Sequence, residues 1–331
     1  MLFLNKRSEE HIYLSQLSKQ SPQTWDDIYV QPKIGSDRIA AMPERRTCAN
    51  LQCPTTWTAP WRNRRRPIFE DQWGCGGRCV LELVRAAIRR ESQDGMVGVE
   101  ARHRHRVPLG LLLLAQGWIT HSELQHALAI QRERGGRIGE VLVAECGVEP
   151  DKIIRGLSLQ WSCPVLETSA FSPRAMALVL PTVFMEQFGM LPVRVAGSRI
   201  LYLGFEDRLD AATSLSLEQM VGLKVESGLV RTQEYESARE ALLRCEAVPL
   251  REEFCEETDT MASRVTAILE QKQPIASKIV RIHGYYWLRL WLEPRSMGSQ
   301  GTLPQSGEDM LDYVFTVNRQ TSLLTLGDRV A

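Results

Sequence analysis

Four cysteines lie within 32 residues, as Cys48-x4-Cys53, an interval of 21 residues, and Cys75-x3-Cys79. Two close pairs separated by a loop suit a tetrahedral thiolate site, where each pair spans neighbouring vertices and the loop folds back. Zinc is the expected ion and these four residues its expected ligands. The second pair opens a helix, because Val80, Leu83, Val84, Ala87 and Ile88 follow at helical spacing. Gly74, Gly76 and Gly77 let the backbone fold around the metal. So small a unit cannot bury enough apolar surface to be stable alone, and a structural ion would supply folding energy directly. Cys146, Cys163, Cys245 and Cys255 are scattered and read as ordinary thiols.

A second set of residues recurs with a fixed step of 29. Pro108 to Gln131 overlays Arg137 to Gln160, each copy being 24 residues with the five-residue spacer RERGG between them. Leu109 falls on Ile138, Gly110 on Gly139, Leu113 on Leu142, Leu124 on Ile153, Leu128 on Leu157 and Gln131 on Gln160. Self-similarity at a fixed period marks one supersecondary unit used twice. Each copy is a turn, an apolar run and a capped helix. Thr120 and Glu123 form a capping box in the first, and Pro150 takes a first-turn position in the second. Leu124, Leu128 and Gln131 share a helix face at i, i+4 and i+7, as do Ile153, Leu157 and Gln160. Their glycines permit close approach of a ligand or a positive φ. Arg137 has the fork geometry for a phosphate or a guanine edge. Tandem sites of this kind suit a ligand that is itself two-fold; the alternative is that Gly and Gln only serve packing.

These residues carry a resemblance. The segment from about 107 to 244 is similar to the N-terminal domain of the ATPases of type II secretion and type IV pilus assembly, the GspE N-terminal or MshEN type. That family's pattern runs RLGxxL, apolar positions, then LxxALxxQ, twice, with a five-residue spacer. The second copy matches at Arg137, Ile138, Gly139, Leu142, Ile153, Leu157 and Gln160. The first matches at Leu109, Gly110, Leu113, Leu124, Ala127, Leu128 and Gln131, and has Pro108 where the pattern has Arg. The resemblance implies binding of cyclic di-GMP, with these thirteen residues (Ala127 aside) as ligand contacts. It also implies a protein partner in a secretion or pilus system. A knuckle first and a helix-borne pair last, as in Cys48 to Cys79, resembles a treble-clef zinc finger.

The ATPases' phosphate-binding loop, GxxxxGK[ST], does not occur, and neither do G-x-S-x-G and H-E-x-x-H. The expected role is therefore non-catalytic. The whole chain has 331 residues, 40 Lys+Arg and 40 Asp+Glu; residues 1–106 carry 18 and 12 of these, so the two parts are +6 and −6. WRNRRRP (Trp61 to Pro67) places four arginines near Trp57, Phe69 and Trp73, a composition seen at nucleic-acid surfaces. The modest charge favours protein docking, with the aromatics as a miniature core of the finger. His103 and His105 alternate with arginines in what reads as a solvated basic linker. No stretch has the length of a membrane span, and the N-terminus lacks a signal-peptide core. A cytoplasmic protein is expected, or one held at the inner membrane through a partner, and its eight cysteines are not a disulfide framework.

Those sites must be held by an α+β multidomain chain. The expected parts are a poorly ordered lead-in (1–45), the four-cysteine zinc-finger-like unit (46–92), a basic linker (93–106) and the helical tandem-repeat lobe (107–163). An α/β lobe (164–245) and a C-terminal helix plus β-strand tail (246–331) complete it. In the α/β lobe, MLPVRV and SRILYLGF read as strands joined at Ala196-Gly197, followed by a helix ended by Gly222, a strand and a closing helix. In the tail, 258–272 reads as a helix stopping before Pro274, and SKIVRIHGYYWLRLWLEP and DYVFTVNRQTSLLTL have strand character. No chemistry is assigned to the tail.

Overall fold

The computed structural model describes residues 48–54, 68–94, 106–197, 199–206, 211–293 and 306–318. The lead-in, the arginine run with Trp57 and Trp61, His103, His105 and most of the loop after Trp291 lie outside them. The fold is mixed α+β, as expected.

After the first cysteine pair the chain makes a two-residue hairpin, β1 (Ile68–Phe69) and β2 (Gln72–Trp73), whose turn residues Glu70 and Asp71 both take positive φ. Helix α1 (Gly77–Asp94) follows, so Cys79 lies in its first turn and Cys75 just before it. Gly74 acts here through close approach, since a Cβ on it would meet Val80 Cγ2 at 2.8 Å.

The repeat folds as four helices, α2 (Leu109–Ala115), α3 (His121–Arg134), α4 (Ile138–Cys146) and α5 (Pro150–Trp161). Corresponding helices start 29 residues apart. The Thr120–Glu123 capping box forms, with Glu123 N–H donating to Thr120 Oγ1 and Thr120 N–H to Glu123 Oε2. Helix α3 packs on α4 and α5 on α2, so each copy lies against the other.

Two short helices, α6 (Pro173–Met176) and α7 (Thr182–Phe188), lead into a three-stranded sheet of β3 (Met190–Ala196), β4 (Ile200–Phe205) and β5 (Lys224–Leu229). Strands β3 and β4 are antiparallel, turning at Gly197 with φ 56°, and β5 is parallel to β4. Helix α8 (Ala211–Val221), ended by Gly222 with φ 70°, makes the parallel crossover, and α9 (Thr232–Leu243) closes the lobe.

The tail folds as β6 (Leu250–Cys255), α10 (Thr258–Lys272), β7 (Ala276–Ile282), β8 (Tyr285–Trp291) and β9 (Met310–Val317), in the sheet order β6-β9-β8-β7. Among the described tail strands β6, parallel to β9, is the one not expected, and the part of the expected last strand beyond residue 318 lies outside the described residues. In β6 the exposed Arg251, Glu252 and Phe254 hide the strand pattern.

Of the aromatic residues expected to form a miniature core in the cysteine unit, Trp57 and Trp61 lie outside the described residues, and Phe69 is buried in a core shared with the tail. Phe69, Val80, Val84, Ala87 and Ile88 share one apolar cluster with Met261, Val265 and Leu269 of α10 and Leu288 and Phe315 of the tail sheet. The unit also covers the β7 edge. Glu70 N–H donates to the Ser277 carbonyl at 3.0 Å, Ile279 N–H donates to the Glu70 carboxylate at 3.5 Å, and Arg281 N–H donates to Glu91 Oε2 at 3.0 Å. Arg90 holds both carboxylates, with 2.8 Å contacts to Glu70 and 2.9 Å to Glu91. A backbone edge left bare in a buried junction would strand several donors, and two carboxylates satisfy them here.

A second cluster joins the α/β lobe to the tail, since Val280, Ile282, Trp287 and Val314 pack with Phe184, Leu203 and Leu229. Beneath it Arg289 and Asp312 form a buried pair at 2.7 Å, 3% and 0% exposed at the side chain. Arg289 also donates to the carbonyls of Leu178 and Val179, and Trp287 Nε1 donates to Asp312.

Candidate functional site

The repeat is closed by its own glutamines. Gln131 Nε2 donates to the carbonyl of Gly136 at 2.9 Å, and Gln160 Nε2 donates to the carbonyl of Val107 at 2.8 Å. Val107 and Gly136 are themselves 29 apart, each two residues before the first helix of a copy. The glutamine of the first copy thus holds the entrance to the second, and that of the second reaches back to the first. A shared amide in register has a backbone partner on each side, which satisfies it without any ligand.

The shared glycines have a packing role. A Cβ on Gly110 would meet Leu124 Cδ1 at 2.5 Å, and one on Gly139 would meet Ile153 Cγ2 at 2.9 Å. Neither glycine has positive φ, so the conformational reason for them does not apply. Leu124 and Ile153 are the matched first apolar residues of α3 and α5. Gly156 is a third close-approach position, where a Cβ would meet Leu113 at 2.7 Å and Leu109 at 2.9 Å. Its counterpart Ala127 is fully buried. The small pair at this step of 29 was the sequence signal for that contact.

The thirteen expected contact residues therefore fall into two groups. Leu109, Gly110, Leu113, Leu124, Gly139, Leu142 and Ile153 are buried, five of them as the side-chain core of the four helices. Leu128 is 36% exposed, and Leu157, Gln131, Gln160 and Ile138 are half-buried. Arg137 is exposed at the N-terminus of α4, where it lies 3.9 Å from Glu140. Pro108 takes the same position before α2. Arg106 does not stand in for the missing guanidinium, because it stacks on the Trp161 ring at 3.5 Å. That contact was not foreseen. Two cavities, of about 120 and 160 Å³, are lined by residues of α1, α8, α10 and the β7 end, and neither touches the repeat.

The four cysteines converge as their spacing predicts. Their sulfurs all lie within 4.8 Å of one another, with Cys53 to Cys75 at 3.4 Å and Cys75 to Cys79 at 3.6 Å. A metal with four thiolates at about 2.3 Å would place sulfurs roughly 3.8 Å apart, so this group could hold a metal ion. Its surroundings fit that use. Cys75 N–H points at Cys48 Sγ and Asn50 Nδ2 at Cys79 Sγ, both donors that suit thiolates. As neutral thiols, Cys75 and Cys79 resist ionisation: burial, then hydrogen bonding with Cys53, pushes Cys75 up to about 12, and burial raises Cys79. A divalent cation reverses that balance and takes the sulfurs deprotonated. The 3.4 Å separation is far from a disulfide bond of about 2.05 Å.

No protein-family profile matches the chain, and no curated protein matches it. Among solved structures it is similar to a structure of MshE with cdg, at 22% identity over 41% of this chain and 98% of that one, with a TM-score of 0.33. The N-terminal domain of XpsE is similar at 18% identity, over 40% and 92% of the two chains, with a TM-score of 0.31. A second crystal form of that domain gives 19% identity and a TM-score of 0.24, over 44% and 99%.

No described helix is long and apolar enough to cross a membrane. Asp207 to Asp210, a run within the segment similar to the secretion ATPases, lie outside the described residues.

Proposed function

We propose that this chain is a non-catalytic, cytoplasmic adaptor that binds cyclic di-GMP across its two repeats and passes the binding event to a protein partner. The supporting observation is the pairing of equivalent groups in the two copies. Leu128 with Leu157 and Gln131 with Gln160 occupy matched, solvent-reaching positions, and Arg137 and Ile138 head α4 next to the Gly136 that Gln131 holds. A two-fold ligand can meet both halves with the same chemistry: apolar side chains against bases, and amide and guanidinium groups on base edges or phosphate. Binding draws the glutamines from the Val107 and Gly136 carbonyls, so ligand and latch compete. That competition would alter how the repeat lies against the α/β lobe, through the Asp151–Arg231 contact between α5 and the start of α9. Pro108 removes one charged contact from the first half. Such a loss costs about 1.5–3 kcal/mol, one to two decades in affinity.

Structural zinc at Cys48, Cys53, Cys75 and Cys79 completes the proposal, in a treble-clef-like arrangement of knuckle, hairpin and helix. Bound there, the ion would staple the knuckle to α1 and so hold the carboxylate cap on β7.

Calorimetric titration with cyclic di-GMP tests the first part, alongside Arg137→Ala and Pro108→Arg. Binding that is lost in the first variant and tightened in the second is the expected result; no heat in any of the three discards it. A second reading, a protein-docking module without nucleotide, is favoured by the exposed Val107, Leu111 and Leu159 of the same lobe. It predicts partner binding that survives Arg137→Ala and fails in Leu111→Asp.

A further inference from the structure

The two edges of the tail sheet are treated differently. On the β7 side the edge is covered by Glu70 and Glu91. On the β6 side, the carbonyls of Pro249 and Cys255 accept from Asp312 and Asn318 of the β9 strand and its end. Backbone direction alternates along a strand, so the odd-numbered residues face β9 and Leu250, Glu252 and Phe254 turn their N–H and C=O groups outward. Among the described residues these six groups have no hydrogen-bond partner. The strand has no proline and no bulge to blunt it, and Phe254 is 68% exposed. An open edge of this kind is a template for another strand.

We propose that the occupant is β6 of a second copy of this chain, antiparallel, with the dyad at Glu252. Pairing the outward-facing residues requires an even register, and only the register centred on Glu252 uses all three. It pairs Leu250 with Phe254 of the other copy, twice, and Glu252 with its own equivalent. All twelve outward groups are then satisfied. On the α10 face the same register sets Arg251 beside Glu253 of the other copy, again twice. Glu253 accepts from Arg264 at 2.6 and 3.0 Å and so already presents its carboxylate in a fixed place. Two apolar pairs and two opposite-charge pairs make the edge complementary to itself, as a two-fold interface requires. The one conflict is Glu252 against Glu252, and it supplies the test.

Sedimentation equilibrium of the full chain should give twice the chain mass, and Glu252→Pro should give the monomer. Glu252→Lys repeats the like-charge conflict in its own dimer but places Lys opposite Glu in a mixed one. Mixed with wild type, it should form heterodimers well above the statistical half, which reads the register without depending on how the proline variant folds. A monomer at every concentration overturns the proposal, and so does a dimer indifferent to both variants. A monomer whose Leu250, Glu252 and Phe254 amides are protected from hydrogen exchange overturns it too, since the chain would then cover its own edge.

Discussion

Asp312 accepts three buried side-chain hydrogen bonds in the tail, from Arg289 on both oxygens and from the Trp287 indole on one. Removing one member of a buried pair leaves the other charge without compensation, at about 3–5 kcal/mol. Asp312→Ala should therefore lower stability by that amount in urea denaturation, whereas Arg289→Met with Asp312→Leu should cost much less. Glu91 has the opposite electrostatics. Burial raises its carboxyl pKa, more than Arg90 and the Arg281 N–H lower it. The folded chain then holds this proton more readily than the unfolded one, so the ionised carboxylate works against the fold at neutral pH. Glu91→Gln, which keeps an acceptor for Arg281, should be at least as stable as wild type at neutral pH. Its advantage should vanish as pH falls through the raised pKa, a trend that melting curves across the acid range would read. Gly139→Ala should cost about 1–3 kcal/mol through overpacking on Ile153, with part recovered by Ile153→Val.

Among the elements, the cysteine unit and the tail depend on each other, because α1 and α10 share one apolar cluster and the β7 edge is closed by the unit's carboxylates. Chelation, or Cys48→Ser, should lower the melting temperature and release hydrogen-exchange protection at Ile279 and Arg281, about 200 residues away in sequence, as well as near the cysteines. Protection unchanged in β7 would mean the cap holds without metal. Much of this layer was legible beforehand. The repeat, its capping box, the β3–β4 hairpin and α10 all announce themselves through periodicity or a cap, which are local properties. Strand β6 does not, because five of its six side chains are exposed or only half-buried and each face mixes charged with apolar residues. The glutamine latches and the carboxylate cap were also out of reach. Their acceptors and donors are main-chain groups, which every residue carries alike, and only the assembled fold shows which of them lacks a partner.

At the scale of the whole molecule, the α/β lobe and the tail cannot be separated cleanly. Val280, Ile282, Trp287 and Val314 complete a cluster otherwise built mainly from the α/β lobe. A chain ending at Cys245 should bind a hydrophobic dye and melt well below the full chain. A well-packed, dye-silent fragment would show that the lobe closes without them. The repeat lobe is tied in more lightly, by Ile154, Leu157 and Trp161 and by the surface contact of Asp151 with Arg231 at 2.9 Å. Its reciprocal latches have one more consequence. Because Gln160 touches Val107, the four helices begin and end at the same place, and the unit is topologically a ring opened at one of two equivalent seams. Cutting at the RERGG spacer and joining the old ends with a linker of that kind would interchange the copies yet restore both latches. A ring of this sort can be relocated into a surface loop of another protein without forcing that loop's ends apart.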